Sequence, residues 1–361
     1  MFEPAENTKN KEFFMNKRFF AALLAAMVLT AAAFAQDFPA YLKIEGTKII
    51  GCDKDDLPDN LVIPEGVTEI GKWAFRECMY LESVVIPGSV TAIGGDDYYG
   101  GAFSGCTSLK SVTLAAGVMA IDDSAFSGCV SLADVTIPEG FTYFGKRAFE
   151  GCTSLASVTI PGSVKAIGEG AFKGCTSLAS ITIPASVRTI YGVNYYYDGA
   201  FQNCTSLKSV TLAEGVTEIG KYMFKGCTSL ASIEIPESVT EIGEGAFGGT
   251  DLKTVTIPKG VKAIDLYTFE GCKSLESVTF PRGVTEIGRE AFNGCTSLKS
   301  VSIPRSVTKI GENAFKDCEN LTVQYDGTKI QWEAIEKDEW PGSGSFAVRC
   351  SDGEFSKQEW R

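Results

Sequence analysis

The fold class that this sequence predicts is a repeat solenoid, mostly β with some α/β character, and three observations predict it. Phenylalanine recurs at Phe75, Phe103, Phe126, Phe149, Phe172, Phe201, Phe224, Phe247, Phe269, Phe292 and Phe315, in steps of 28, 23, 23, 23, 29, 23, 23, 22, 23 and 23 residues. Each sits in the same pattern, A-F-x-x-C-x-x-L-x-S-V-x-I-P-x-x-V-x-x-I-G, which runs from Ala291 through Pro304 to Ile310 and restarts at Ala314-Phe315. Only two insertions and one deletion disturb the period. A fixed period in the twenties makes each copy one turn of a coil, which can bury its apolar side only by stacking on its neighbours. A chain of 361 residues often splits into two domains. The unbroken repeat argues instead for one elongated domain over residues 62–323, closed by caps at 36–61 and 324–361.

The same signature resembles the BspA-like, or treponeme-type, leucine-rich repeat of bacteria. The resemblance implies a right-handed leucine-rich repeat coil of about eleven repeats with a parallel sheet. It also implies an exported or cell-surface protein, since members are mostly exported and some are thought to act as adhesins toward host proteins or other cells. The expected partner is then a protein, on a host or another cell.

At the start of the chain, Lys17-Arg18 precedes an apolar run from Phe19 to Phe34 that ends in Ala33-Phe34-Ala35. Basic flank, short apolar core and A-x-A site together read as a secretory signal peptide over residues 1–35. The run is short for a membrane span. Met15 stands where such a leader begins, so residues 1–14 read as a mis-called start or an added remnant. No cysteine follows the cleavage site, which argues against a lipid anchor.

Removing the leader's four basic and three acidic residues leaves 29 basic against 42 acidic. A surface this acidic, with no basic block, argues against nucleic acid or an anionic membrane as partner. Tyr41 to Ile44 and Lys48 to Ile50 alternate as two short cap strands around Glu45-Gly46-Thr47. Asn60 to Pro64 and Val67 to Ile70 supply the first half-repeat.

Within each repeat, Leu-x-x-Val-x-Ile reads as a strand with Val and Ile turned inward, and the following proline ends it. Stacked copies predict one long parallel sheet with strands about 4.8 Å apart, and the phenylalanines predict an internal aromatic spine. The outward strand positions, from Ser111/Thr113 to Ser300/Ser302, are Ser or Thr except at Asp134 and Glu234. That row either solvates the sheet and exchanges cross-strand hydrogen bonds, or grips a glycan.

Two insertions enter at one repeat position, between the Ile and the Ala-Phe. They run from Gly94 to Gly101 and from Tyr191 to Gly199, and both carry Gly with Asp or Asn, as projecting loops do. They supply the candidate binding residues Asp96, Asp97, Tyr98 and Tyr99 in the first, and Asn194, Tyr195, Tyr196 and Tyr197 in the second. Tyrosine offers a large, rigid amphipathic contact surface. Four coils of ~4.8 Å would put the loops roughly 20 Å apart. The alternative is that they are padding or tolerated length variation. Repeat eight is one residue short and has Thr250 in place of its cysteine. At the end, Thr328 to Lys337 has Ile330, Ala334 and Ile335 at helical spacing beside Trp332, an amphipathic helix, before a last strand at Phe346 to Cys350. Members of the resembled family often close with a similar Tyr-x-Gly-Thr-x-x-x-Trp segment. No sorting signal or hydrophobic tail follows, so attachment to a cell would run through non-covalent contacts or a partner.

Chemistry is sparse. The chain has no histidine, which removes Ser-His-Asp and Cys-His catalysis and a histidine base. The carboxylate pairs Asp96-Asp97 and Asp122-Asp123 lie in or near turns and read as solvated or capping groups, and no calcium loop pattern is present. Neither an enzyme activity nor a cofactor or metal is expected. Ten of the twelve cysteines share one repeat position, and the nearest of them are 23 residues apart, unlike C-x-x-C zinc pairs. Stacked in parallel, they predict a ladder of buried free thiols interrupted at Thr250, with Cys52 and Cys350 left in opposite caps. Function therefore stays open among a protein-interaction or adhesion module, a carbohydrate-binding module, and an envelope spacer without a dedicated ligand.

Overall fold

The computed structural model describes residues 38–96, 100–190, 198–319, 321–337 and 347–355, so the expected leader lies outside the described residues. From Phe38 onward the chain winds as a β-solenoid in which successive turns pair in register. The first full step shows the rule: Ser83–Ile86 pairs parallel with Ser111–Leu114, setting Val84 opposite Val112 and Ile86 opposite Leu114. Each turn has three walls: the predicted strand, the short Val-x-x-Ile-Gly segment, and the Ala-Phe-x-x-Cys turn. All eleven phenylalanines are buried, and their rings stack within 3–16° of parallel along the coil.

The turn wall is the continuous one. The phenylalanine N–H donates to a carbonyl of the next coil at ten successive steps, from Phe75 to Ala102 through Phe292 to Ala314, at 2.7–3.0 Å. The residue before each cysteine does the same, from Glu77 to Ser104 through Gly294 to Lys316, at 2.7–2.9 Å. That residue is left-handed in every repeat, even as Glu77 (φ 57°), Asn203 (59°) and Asp317 (59°). Alternating right- and left-handed backbone keeps the turn from closing into a helix, so its N–H groups point along the stack. Glycine takes this conformation without strain and dominates the position.

The cysteine closes the same wall. Nine thiols, Cys106 to Cys318, lie 3.0–3.2 Å from the phenylalanine carbonyl of the preceding coil and donate to it. Cysteine suits this place as a small apolar residue with a weak donor. All twelve cysteines are free thiols. At the break, the Thr250 hydroxyl donates within its own coil to the Phe247 carbonyl at 2.8 Å and lies 3.3 Å from Cys272 Sγ.

The strand wall corrects the expected single long sheet. It is continuous from Asn60–Val62 to Asp134–Thr136, then falls into shorter pieces. Residues 157–160 form no strand, 232–235 contribute one bridge (Thr211 with Glu234), and Ser277–Thr279 does not pair with Ser300–Ile303. Each interruption adjoins an oversized core residue. Phe141 and Phe144 replace the usual Val and Ile just before 157–160, Met223 replaces the usual Ala just before 232–235, and Phe280 replaces Ile after Ser277–Thr279. Extra volume in a close-packed core pushes its surroundings apart. At Met223 the spine widens too, with ring separations of 5.9 and 5.8 Å on either side of Phe224 against 4.9 and 5.0 Å at the N-terminal end, whereas beside Phe280 they stay at 5.3 and 5.2 Å. Tyr325, also large at the Ile position, breaks nothing, because it packs on Trp332 of the terminal cap at 5.2 Å.

The caps follow the sequence with one correction. Leu42–Glu45 and Lys48–Cys52 pair antiparallel and start the stack. At the other end the helix spans Lys329–Glu333, N-capped by Thr328 with a capping box from Gln331. Its buried residue is Trp332, whereas Ile330 is 77% exposed and Ala334 is exposed. The helix is too short for the i, i+4 pattern to select a face, and the indole, being larger, takes the core. Ala347–Cys350 adds the expected strand, and Gly353–Phe355 pairs with it antiparallel.

Candidate binding surface

Both insertions leave after the short strands Ala92–Ile93 and Thr189–Ile190 and re-enter at the turn wall. The first is closed at its base by Ala102 N–H donating to the Gly94 carbonyl at 2.8 Å, and Gly94 N–H donates to the Ile70 carbonyl of the preceding coil at 2.7 Å. Each insertion ends in a glycine pressed on the following coil. A Cβ at Gly101 would lie 2.3 Å from Ala125 Cα, and one at Gly199 would lie 1.8 Å from the Tyr222 carbonyl oxygen. No side chain fits there, so glycine is required by close approach.

Of the sequence-predicted site residues, Asp96 is described: it is half-buried and meets Lys72 Nζ at 3.5 Å. Asp97, Tyr98, Tyr99, Asn194, Tyr195, Tyr196 and Tyr197 lie outside the described residues. The coils that bear the insertions are four apart, with ring-to-ring steps of 5.0–5.5 Å from Phe103 to Phe201. Their bases therefore lie about 20 Å apart if the coils stack nearly straight.

The second insertion has an anchor that the sequence reading missed. Asp198, buried at its C-terminal end, is gripped by two cations from earlier coils. Arg147 donates through Nη2 at 2.7 Å and Nε at 3.1 Å to Oδ2, and Lys173 donates to Oδ1 at 2.6 Å. Glu150 joins the network at 3.2 Å from Lys173 and 3.7 Å from Arg147. Burial alone would lower the Lys173 amine, but Asp198 and Glu150 outweigh it and hold the amine above its ordinary value. Nearby, Glu169 is buried with Oε1 unpaired, and burial raises its carboxyl. The only sequence signal was Asp198 abutting Gly-Ala-Phe, with basic residues at Arg147 and Lys173 in two preceding coils. Around the first insertion, burial, then Asp123 and Glu69, push the Asp122 carboxyl up.

The second surface is the strand wall. Its outward residues from Asp134 to Ser302 are exposed, while Ser111 and Thr113 are half-buried. The threonines that bond across coils belong mainly to the neighbouring wall, where Thr91, Thr142, Thr240, Thr285 and Thr308 donate to carbonyls of the preceding coil. The interrupted ladder between Ser209–Leu212 and residues 232–235 leaves a groove of about 290 Å³ lined by Lys208, Ser209, Thr211, Ser232, Ile233 and Glu234. Among the described residues, no group of Cys, Asp or Glu is placed to hold a metal ion, and no helix is long and apolar enough to cross a membrane.

Comparison with known proteins adds the following. A family model described as the BspA type leucine rich repeat region matches in six copies over residues 57–100, 97–198 and 194–322. Among solved structures, a leucine rich cell surface protein from Faecalibacterium prausnitzii is 32% identical, covering 86% of this chain and 99% of that one, with a TM-score of 0.48. The T. pallidum leucine rich repeat protein is 26% identical over 73% of this chain and 91% of its own, with a TM-score of 0.40. The pneumococcal vaccine antigen PcpA, 19% identical over 85% of this chain and 95% of its own, has a TM-score of 0.52 and shares the fold. No curated protein sequence matches the chain.

Proposed function

Because the chain belongs to the BspA-type leucine-rich repeat family, we propose that it is an exported or cell-surface interaction module that binds a protein through the edge bearing the two insertions. It performs no catalytic step in this reading. One observation carries the reading: both insertions return to the same wall through glycines docked on the next coil, and the second is also fixed by a buried three-way ion pair at Asp198. Length variation that is merely tolerated needs no such base. A rigid base lowers the entropy lost when a loop binds. The leader expected at 1–35 and the resemblance to a cell-surface leucine-rich protein support export, and the acidic surface argues against nucleic acid.

The test replaces residues 95–99 and 193–197 with Gly and Ser, checks the fold by thermal melting, and repeats pull-downs on extracellular-matrix and bacterial surface proteins. Binding should fall at least tenfold with the melt unchanged; unchanged affinity would remove the loops from the site. A second reading, a carbohydrate-binding module, is favoured by the exposed hydroxyl row and the groove at Lys208–Glu234. A glycan array run with the same variants separates the two, since glycan binding that survives loop replacement points to the strand wall. Silence on both assays would favour a spacer without a ligand.

A further inference from the structure

The thiol ladder has a beginning, and its chemistry differs there. From Cys106 onward every ladder thiol donates to a phenylalanine carbonyl of the coil before it. Cys78 belongs to the first complete coil, and the turn before it is the cap, which supplies no phenylalanine at that place. What the cap supplies is Cys52, at the end of the strand Lys48–Cys52, with its Sγ 3.5 Å from Cys78 Sγ. Cys52 is half-buried and Cys78 is buried, so one of the pair can be reached from solvent.

We propose that Cys52 and Cys78 are a modification site that closes into a disulfide, stapling the N-terminal cap to the first coil, while the thiols from Cys106 onward stay reduced. The separation is already close to bonding: the sulfurs need to approach by roughly 1.5 Å to reach a disulfide length. The ladder thiols beyond are held by carbonyl acceptors, so pairing any of them would first break a bond that the stack uses. Half-exposure of Cys52 places the first step at the surface; its contact with Cys78 and its burial hold the thiol well above the ordinary value, against the pull of Lys54 and Lys43, so closure quickens as pH rises.

The oxidant is a small-molecule disulfide or a thiol–disulfide oxidoreductase, as an export compartment provides. The Cys52 thiolate attacks one sulfur of that disulfide, forming a mixed disulfide and expelling one thiolate, which takes up the proton that Cys52 lost. Cys78, losing its own proton, then attacks the Cys52 sulfur and expels the second. Two S–H bonds and the oxidant's S–S bond are lost, and one protein S–S bond forms. The two electrons reduce the oxidant to two thiols. The loop closed, residues 52 to 78, holds the first half-repeat, Asn60–Val62 and Glu69–Ile70, and the bond ties the end of the cap strand Lys48–Cys52 to the first Ala-Phe-x-x-Cys turn.

The experiment incubates the folded full chain with oxidised glutathione, removes the oxidant, unfolds the chain in denaturant with an alkylating reagent to block the remaining thiols, and maps peptides without reduction. The expected result is a single cross-linked pair, Cys52 with Cys78, ten alkylated cysteines, and a melting midpoint that falls when reductant is added. Cys52→Ser should abolish both the cross-link and the reductant-dependent shift, while leaving the midpoint near that of the reduced wild-type chain. A glutathione adduct that persists on Cys52 would overturn the proposal. So would a cross-link between Cys78 and Cys106, or full alkylation of all twelve cysteines.

Discussion

The turn wall and the strand wall of the same coil obey different rules. On the turn wall, ten successive phenylalanine N–H bonds, ten more from the residue before cysteine, and nine thiols in two runs repeat along the stack. The strand wall, which carries the recognisable β pattern, loses its pairing beside Phe141 and Phe144, Met223 and Phe280. The difference shows where the tolerance for altered core volume lies. The turn wall keeps its bonds even where Met223 and Thr268 replace Ala and Thr250 replaces Cys, because they run between backbone groups and need only a left-handed residue at a fixed place. The strand wall buries its Val and Ile in the same core but loses its pairing where that core carries a larger residue. One such opening leaves the groove at Lys208–Glu234.

The largest effect that could break this contrast is alkaline. Burial raises Cys272 to about 11 and Cys175 and Cys227 to about 12, and holds Cys152 and Cys204 well above the ordinary value. Cys295 is raised likewise, by its Cys318 neighbour and by burial. Because the folded values exceed the unfolded one of about 8.5, the folded state keeps protons that the unfolded chain releases. The stability is therefore intact below about pH 8.5 and is lost as pH rises through the folded values. Each fully buried thiol contributes a slope of about 1.4 kcal/mol per pH unit in that window, so six give on the order of 8. Melts from pH 8 to 11 should show a steep fall, made shallower in Cys204→Ala/Cys227→Ala. A midpoint flat to pH 10.5 would mean that the thiols are not buried as a ladder.

Next in size is the spine. Phe172→Ala should cost about 3–5 kcal/mol by denaturant unfolding, because the ring is fully buried between two others and leaves a cavity. A smaller change should act in the opposite sense on the strand wall. Met223→Ala restores the usual residue, and amides 232–235 should become slower to exchange by at least tenfold even though total stability falls. The smallest effect belongs to the outward row: Ser180→Ala with Thr182→Ala should move stability by no more than about 0.5 kcal/mol, since both are exposed strand positions. A loss above 2 kcal/mol there would mean that the strand wall holds the stack.

The period, the aromatic spine and the thiol ladder were legible in the sequence because each is one residue type at one interval. The turn-wall ladder was not, because its donors are backbone N–H groups of residues as unlike as Glu77, Gly105 and Asn203, and only the left-handed conformation unites them. The interruptions could be seen as Phe280 or Met223, but their consequence depends on core volume, which no strand pattern records. At the C-terminal cap, the spacing placed Ile335 inside, where it is buried, but not Ile330 or Ala334, because Trp332 takes the interior place of the short helix. As for the candidate site, the insertions were plain from their length, whereas Asp198 lies 51 residues from Arg147 in sequence and is joined to it by the winding of the coil.

Residue-resolved hydrogen exchange of the folded chain compares the two walls directly. Amides of Phe103, Phe126, Phe149, Phe172, Phe201, Phe224, Phe247, Phe269 and Phe292 should be uniformly slow, while those of 157–160 and 232–235 exchange at least a hundredfold faster than 181–183 and 210–212. Equal protection along the whole strand wall, or a turn wall that exchanges faster than the strands, would contradict the conclusion that the Ala-Phe-x-x-Cys turn holds successive coils together.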